Sequence, residues 1–101
     1  MKTIAVRILL LLFSIRLLSA AVDCQNPKTR QQRVVCANPE LIALDQHLAR
    51  IYEKALAAAP GTERKQLEDE QRSWEDDGGG CWDRVDCIKK RYSDRIAALL
   101  G

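Results

Sequence analysis

The sequence predicts a small all-α fold: a disulfide-stapled helical bundle built on an antiparallel helix pair, with a short N-terminal helix before it. Three observations lead there. Apolar residues recur at three- and four-residue spacing in the long segments, and no alternating run suggests a strand. Helix start and stop signals separate the segments, at Thr29, Asn38-Pro39, Pro60-Gly61 and Gly78-Gly79-Gly80. All four cysteines follow position 21, in a chain too short to bury more than a modest core.

The chain has 101 residues, room for one domain. Residues 1–21 read as a signal peptide. Lys2 and Arg7 make a basic start, Ile8 to Leu18 a short apolar run, and Ser19-Ala20-Ala21 places small residues where a signal peptidase reads them. The apolar run falls short of the roughly 20 residues a membrane-crossing helix needs, and it carries Arg16. Asp23 stands where a small residue would precede a lipid-modified Cys24. The expected mature domain is residues 22–101: a soluble monomer, periplasmic or secreted. Cleavage removes three of the 16 basic side chains and none of the 14 acidic ones, which moves the formal net charge from +2 to −1. A near-neutral domain without a basic stripe offers no electrostatic case for nucleic acid or an anionic membrane.

Thr29-Arg30-Gln31-Gln32 is a capping box, so a short helix is expected from Arg30 to Cys36 with Val34 and Val35 inward. Asn38-Pro39 then starts a long helix to Ala59. Its stripe is Leu41, Leu44, Leu48, Ile51, Tyr52 and Ala55. Pro60-Gly61 ends it, and Thr62 opens a more polar helix that carries Leu67, Gln71 and Trp74 inward. The run Gly78-Gly79-Gly80 predicts a flexible loop. A last helix begins near Arg84 or Asp86, with Ile88, Tyr92, Ile96 and Leu99 on one face.

Cys24, Cys36, Cys81 and Cys87 have neither the spacing of a zinc site nor a C-x-x-C motif for haem or redox work, so no metal or cofactor is expected. Two disulfides are the expectation, and four cysteines allow three connectivities. Local pairing is preferred. The first helix rises only about 10 Å, so residues 24–28 can double back along it to Cys36. Cys81 and Cys87 would close a small loop beside the glycines.

No motif of a nucleophilic hydrolase, metalloprotease or phosphate loop occurs, and an enzyme is not expected. His47, the single histidine, reads as a partly exposed helix residue. Asp45 lies at the edge of the buried stripe, where a lone carboxylate costs several kcal/mol and needs a partner. Arg95 is the first candidate for a structural ion pair with it, and Arg72 the second.

Asp23-Cys24, Cys36, Asn38-Pro39-Glu40-Leu41, Leu44-Asp45, Leu48 and Tyr52 resemble the first half of the LprI-type lysozyme inhibitor N-terminal domain. Gln71-Arg72 with Trp74, then Cys81, Cys87-Ile88, Tyr92, Arg95-Ile96 and Leu99 resemble its second half. Residues 23 to 100 carry the likeness. Where family members often have an Arg-Asp step, this chain has Glu75-Asp76-Asp77-Gly78-Gly79-Gly80. The resemblance implies a bacterial envelope or secreted protein that binds lysozyme and blocks its cleft; the alternative is a non-inhibitory module that binds another envelope protein. An inhibitor can meet the basic rim of a lysozyme with acidic residues and fill the cleft with a loop. Glu75, Asp76 and Asp77 are the acidic candidates and Trp82 the anchor, although packing of Trp82 onto the bundle core stays open at this point.

Overall fold

The structure, a computed structural model, describes residues 21–101. The leader read at residues 1–21 lies outside the described residues except for Ala21. Helices α1 (Arg30–Cys36), α2 (Pro39–Ala58), α3 (Gly61–Asp77) and α4 (Val85–Leu100) follow one another, with a 3-10 turn at Gly78–Gly80 before α4. Among the described residues there is no strand, and no helix is long and apolar enough to cross a membrane.

The helix ends follow local chemistry. Thr29 Oγ1 accepts from the Gln32 amide at 3.0 Å, as the capping box requires. Gln32 Oε1 accepts from the Lys28 amide at 2.6 Å, one residue further back than the standard box. Pro39 opens α2 because its missing N–H would have had no partner in the first turn. That helix stops at Ala58, one residue before the expected end. Proline 60 disfavours helical backbone in the residue before it, and Ala59 is extended (φ −87°, ψ 132°).

The core lies between α2 and α4. Leu41 and Ile88 are fully buried, and Val35, Leu48, Ile51, Tyr92 and Ile96 surround them. Each such aliphatic side chain removed from water stabilises the fold by about 1.5–3 kcal/mol. Leu44, Tyr52 and Ala55 flank this stripe half-buried, as do Leu67 and Trp74 on α3 and Leu99 on α4. Gln71 is the one fully buried residue of α3, so that helix covers the core with a mostly polar surface.

Cross-contacts give the helix directions. Gln71 meets Arg95 and Trp74 meets Arg91, so α3 and α4 are antiparallel. The most extensive contact, between α2 and α4, joins helices that run the same way: Glu40 pairs with Lys89 at 3.0 Å and Asp45 with Tyr92 at 2.9 Å. Helix α3 thus runs antiparallel to both α2 and α4, while the largest share of the core is buried in the parallel pairing of those two.

Both disulfides are local. Cys24–Cys36 ties the segment before α1 to its last residue, and Cys81–Cys87 closes the loop into α4, each with Cα atoms 5.4 Å apart. The glycine run is a turn with defined contacts. All three glycines have positive φ, between 65° and 68°. The Gly79 amide donates to Asp77 Oδ2 at 3.1 Å, and the Gly78 carbonyl accepts from Gln31 Nε2 at 2.9 Å. A Cβ on Gly79 would lie 2.5 Å from Arg91 Nε, whereas one on Gly80 would meet open space.

Gly79→Ala should therefore destabilise the protein by about 2–3 kcal/mol, combining left-handed strain with displacement of Arg91. Gly80→Ala should show the backbone penalty alone, about 1–2 kcal/mol. Urea unfolding of both variants checks the difference between them.

Candidate functional site

Two neighbouring features share the turn at Gly78. One is a projecting loop and the other a polar cleft.

The loop grows from Cys81, which is 1% exposed and roots the second disulfide in the core. Its neighbour Trp82 is thrown outward, 67% exposed, at φ +57°. An L-residue with a bulky side chain pays about 1–2 kcal/mol for left-handed backbone, so its surroundings must hold it there. The Arg84 guanidinium does so by donating to the Gly80 and Cys81 carbonyls at 3.3 and 3.4 Å. The Arg30 guanidinium lies 5.7 Å from the centre of the Trp82 ring, within cation–π range. Thr29, Arg30, Gln31, Asp77 and Trp82 line a shallow groove of about 480 Å³ at this point.

Glu75, Asp76 and Asp77 form the last turn of α3, with no basic residue in that turn. Acidic side chains at a helix C-terminus face the negative end of the macrodipole, an unfavourable placement. Asp77 recovers part of the cost by capping Gly79. The three do not gather round Trp82: Asp77 shares the groove with it, whereas Glu75 and Asp76 line the cleft on the other side of Gly78.

The cleft measures about 490 Å³, with α1, α2, α3 and α4 all contributing to its lining. Asp45, 7% exposed, lies at its base. Its Oδ1 accepts from the Tyr92 hydroxyl at 2.9 Å and its Oδ2 from the Val22 amide at 2.8 Å. Burial raises the Asp45 pKa above the usual carboxylate value, against the lowering effect of these two donors. The same burial and the facing carboxylate raise the Tyr92 hydroxyl far above a free phenol. Trp74 meets Tyr92 edge to face at 5.2 Å. Arg91 covers the other aromatic surface, 4.0 Å from the Trp74 ring centre, and donates to the Trp74 carbonyl. Glu75 is exposed as a residue, but partial desolvation of its carboxyl raises its pKa, with Asp76 and Asp45 adding to the effect and a hydrogen bond from Gln71 opposing it.

The expected Asp45–Arg95 ion pair does not form. Parallel packing of α2 and α4 sets Tyr92 opposite Asp45, and Arg95 lies a turn further on towards α3, where its Nε donates to Gln71 Oε1 at 2.8 Å. Arg72, the second candidate, points to solvent and pairs with Asp69. The spacing of Tyr92 places it on the buried face, and a phenol on such a face needs a hydrogen-bond partner, which is the signal in the sequence for the true pairing. The Arg91–Trp74 stack and the Gln31–Gly78 link left no comparable mark. His47 is exposed on α2. Among the described residues no three His, Cys, Asp or Glu side chains gather as a metal site.

The family model described as lysozyme inhibitor LprI matches residues 24–99. Proteins named lipoprotein LprI from Mycobacterium tuberculosis and Mycobacterium bovis are each 32% identical over 82 residues, which covers 78% of this chain and 40% of theirs. The chain thus spans about two-fifths of the length of the curated relatives it matches. No solved structure matches it.

Two outcomes follow from the cleft. Tyr92→Phe keeps the ring stack but leaves a buried carboxylate oxygen without its donor, so stability should fall by about 1–3 kcal/mol in urea unfolding. For Glu75 the folded pKa lies above the unfolded one, so the native state binds the proton more tightly and stability falls as pH rises from about 4.5 through the folded value. Glu75→Gln should accordingly melt above the wild type at pH 7, and the difference should vanish below about pH 4, where both states are protonated.

Proposed function

The chain belongs to the LprI lysozyme inhibitor family, and on that premise we propose that it binds a lysozyme-type muramidase and blocks its cleft through the Trp82 loop. The observation that carries this reading is Trp82 itself: an aromatic held outward at positive φ on a disulfide-closed loop. A large ring already fixed in its binding conformation loses little entropy on docking, which is how an anchor residue concentrates binding energy. Asp77 beside it, with Asp76 and Glu75 at the adjoining cleft, supplies negative charge that would face the basic rim of a lysozyme and steer the encounter. The unfavourable position of these acids at the end of α3 supports a role for their charge outside the fold. The protein inhibits by occupying the cleft; its own chemistry takes no part.

Export fits this role. Two disulfides suit an oxidising compartment, and the relatives bear a lipoprotein name. In this chain the Cys24 sulfur is bonded to Cys36, so the reading is of a periplasmic or secreted protein without a lipid on that cysteine.

A turbidity assay of lysozyme on bacterial cell walls, with the exported and oxidised protein added in increasing amounts, tests the proposal. Dose-dependent protection near one-to-one stoichiometry is expected. Trp82→Ala should retain its helical circular dichroism yet inhibit at least about thirtyfold more weakly, the loss of a hot-spot side chain. Replacing Asp76 and Asp77 with Asn should slow association and flatten its salt dependence. Failure to protect against lysozymes of several classes would overturn the inhibitor reading in favour of a non-inhibitory envelope interaction module.

A further inference from the structure

The Val22–Asp45 contact lies one residue past the expected cleavage point. Val22 N is 2.8 Å from Asp45 Oδ2, across 23 residues of sequence. The contact is held in place from both sides. Cys24, two residues on, is bonded to Cys36, and Asp45 is fixed by Tyr92. Yet the carboxylate has only neutral donors, and among the described residues no cation pairs with it. Arg91, the arginine in the cleft lining, donates to Trp74, and Arg95, outside that lining, gives its Nε to Gln71 and keeps a buried Nη2 that bonds to no group among the described residues. A carboxylate this deeply buried costs several kcal/mol unless a positive charge meets it.

We propose that removal of the leader after Ala21 completes this site: the freed α-ammonium of Val22 seats against Asp45 and forms a partly buried ion pair that the precursor cannot make. The covalent step is hydrolysis of the Ala21–Val22 peptide bond by a signal peptidase. One water is consumed; its oxygen joins the Ala21 carbonyl carbon, which leaves as a carboxylate, and its protons leave the Val22 nitrogen as an ammonium at neutral pH. A single neutral N–H donor becomes a cation with three donors at the same place. The charged or titratable groups that line the cleft around Asp45 are Tyr92 and Arg91 from α4 and Glu75 and Asp76 from α3, while α1 presents only neutral side chains. The new terminus is therefore the cation with the shortest reach to the carboxylate. Pairing holds the amine protonated and lifts its pKa above the ordinary value of about 7.7–8.0. Processing thus turns an existing hydrogen bond between the N-terminal segment and α2 into an ion pair, which ties the finished fold to its own maturation.

The test uses the full precursor, expressed for export and purified in oxidised form. Intact mass should give a chain beginning at Val22. An amine-acylating reagent at pH 7, read at Val22 by peptide mass spectrometry, should react at least about tenfold more slowly than in Asp45→Asn, the change that a one-unit rise in amine pKa produces. A second variant keeps Asp45 and inserts one glycine between Ala21 and Val22, so that the ammonium is displaced from its seat. It should label at the fast rate, and it decides the matter should Asp45→Asn fail to fold. A mature chain that begins at another residue, or equal labelling of the native and glycine-inserted proteins, would overturn the proposal.

Discussion

A carboxylate buried in the contact between α2 and α4 sets the terms for the rest of this protein. Asp45 occupies a position where a leucine would have been simpler, and its charge must be answered from inside the bundle. Tyr92 answers it from α4, and in doing so fixes how far along α2 that helix sits. The ring of Tyr92 then serves as the platform for Trp74, which brings α3 into the same node. Three helices consequently meet at one phenol. Sliding α4 by a turn would preserve much of the apolar contact but strand the carboxylate, so the polar pair selects one register from several that hydrophobic packing alone would tolerate.

The loop and the cleft are coupled through a small number of atoms. Gly79 has no side chain, and Arg91 occupies the space a Cβ would need; from there Arg91 reaches over Trp74. Gly78 on the same turn receives Gln31 from α1. The turn that delivers Cys81 and Trp82 to the surface is therefore positioned by the side chains that wall the cleft. Hydrogen bonds and steric fit to α1 and α4 define its path at Gly78 and Gly79, so three consecutive glycines here form a turn with specific contacts.

The sequence made the helices legible because their signals are local and redundant. Thr29, Pro39 and Pro60 mark boundaries by their own backbone chemistry, and the recurrence of Leu41, Leu48 and Ile51 or of Ile88, Tyr92 and Ile96 identifies each inner face. Local disulfide pairing was legible for the same reason. What was not legible is relative placement. Asp45 is recognisable as needing a partner, but ranking Arg95 first and Arg72 second assumes that opposite charge decides, when the parallel course of α2 and α4 sets Tyr92 there. Trp82 lies outside any periodic stripe, so spacing could not separate core from surface; the answer depends on a backbone φ of +57° that no residue type announces. The close approach of Arg91 to Gly79 joins residues from different elements and has no one-dimensional trace.

The two disulfides span only 12 and 6 residues, and each joins cysteines that are nearest neighbours among the four along the chain. Either alternative connectivity would require at least one ring several-fold larger, and each doubling of ring size costs about 0.6 kcal/mol in closure entropy. Chain statistics alone thus favour the native pairs even before the helices pack. Oxidation can run directly to the correct isomer, with little call for disulfide shuffling. Because neither bridge crosses between α2 and α4, it can also proceed before or after the bundle assembles without trapping the chain in a misassembled form.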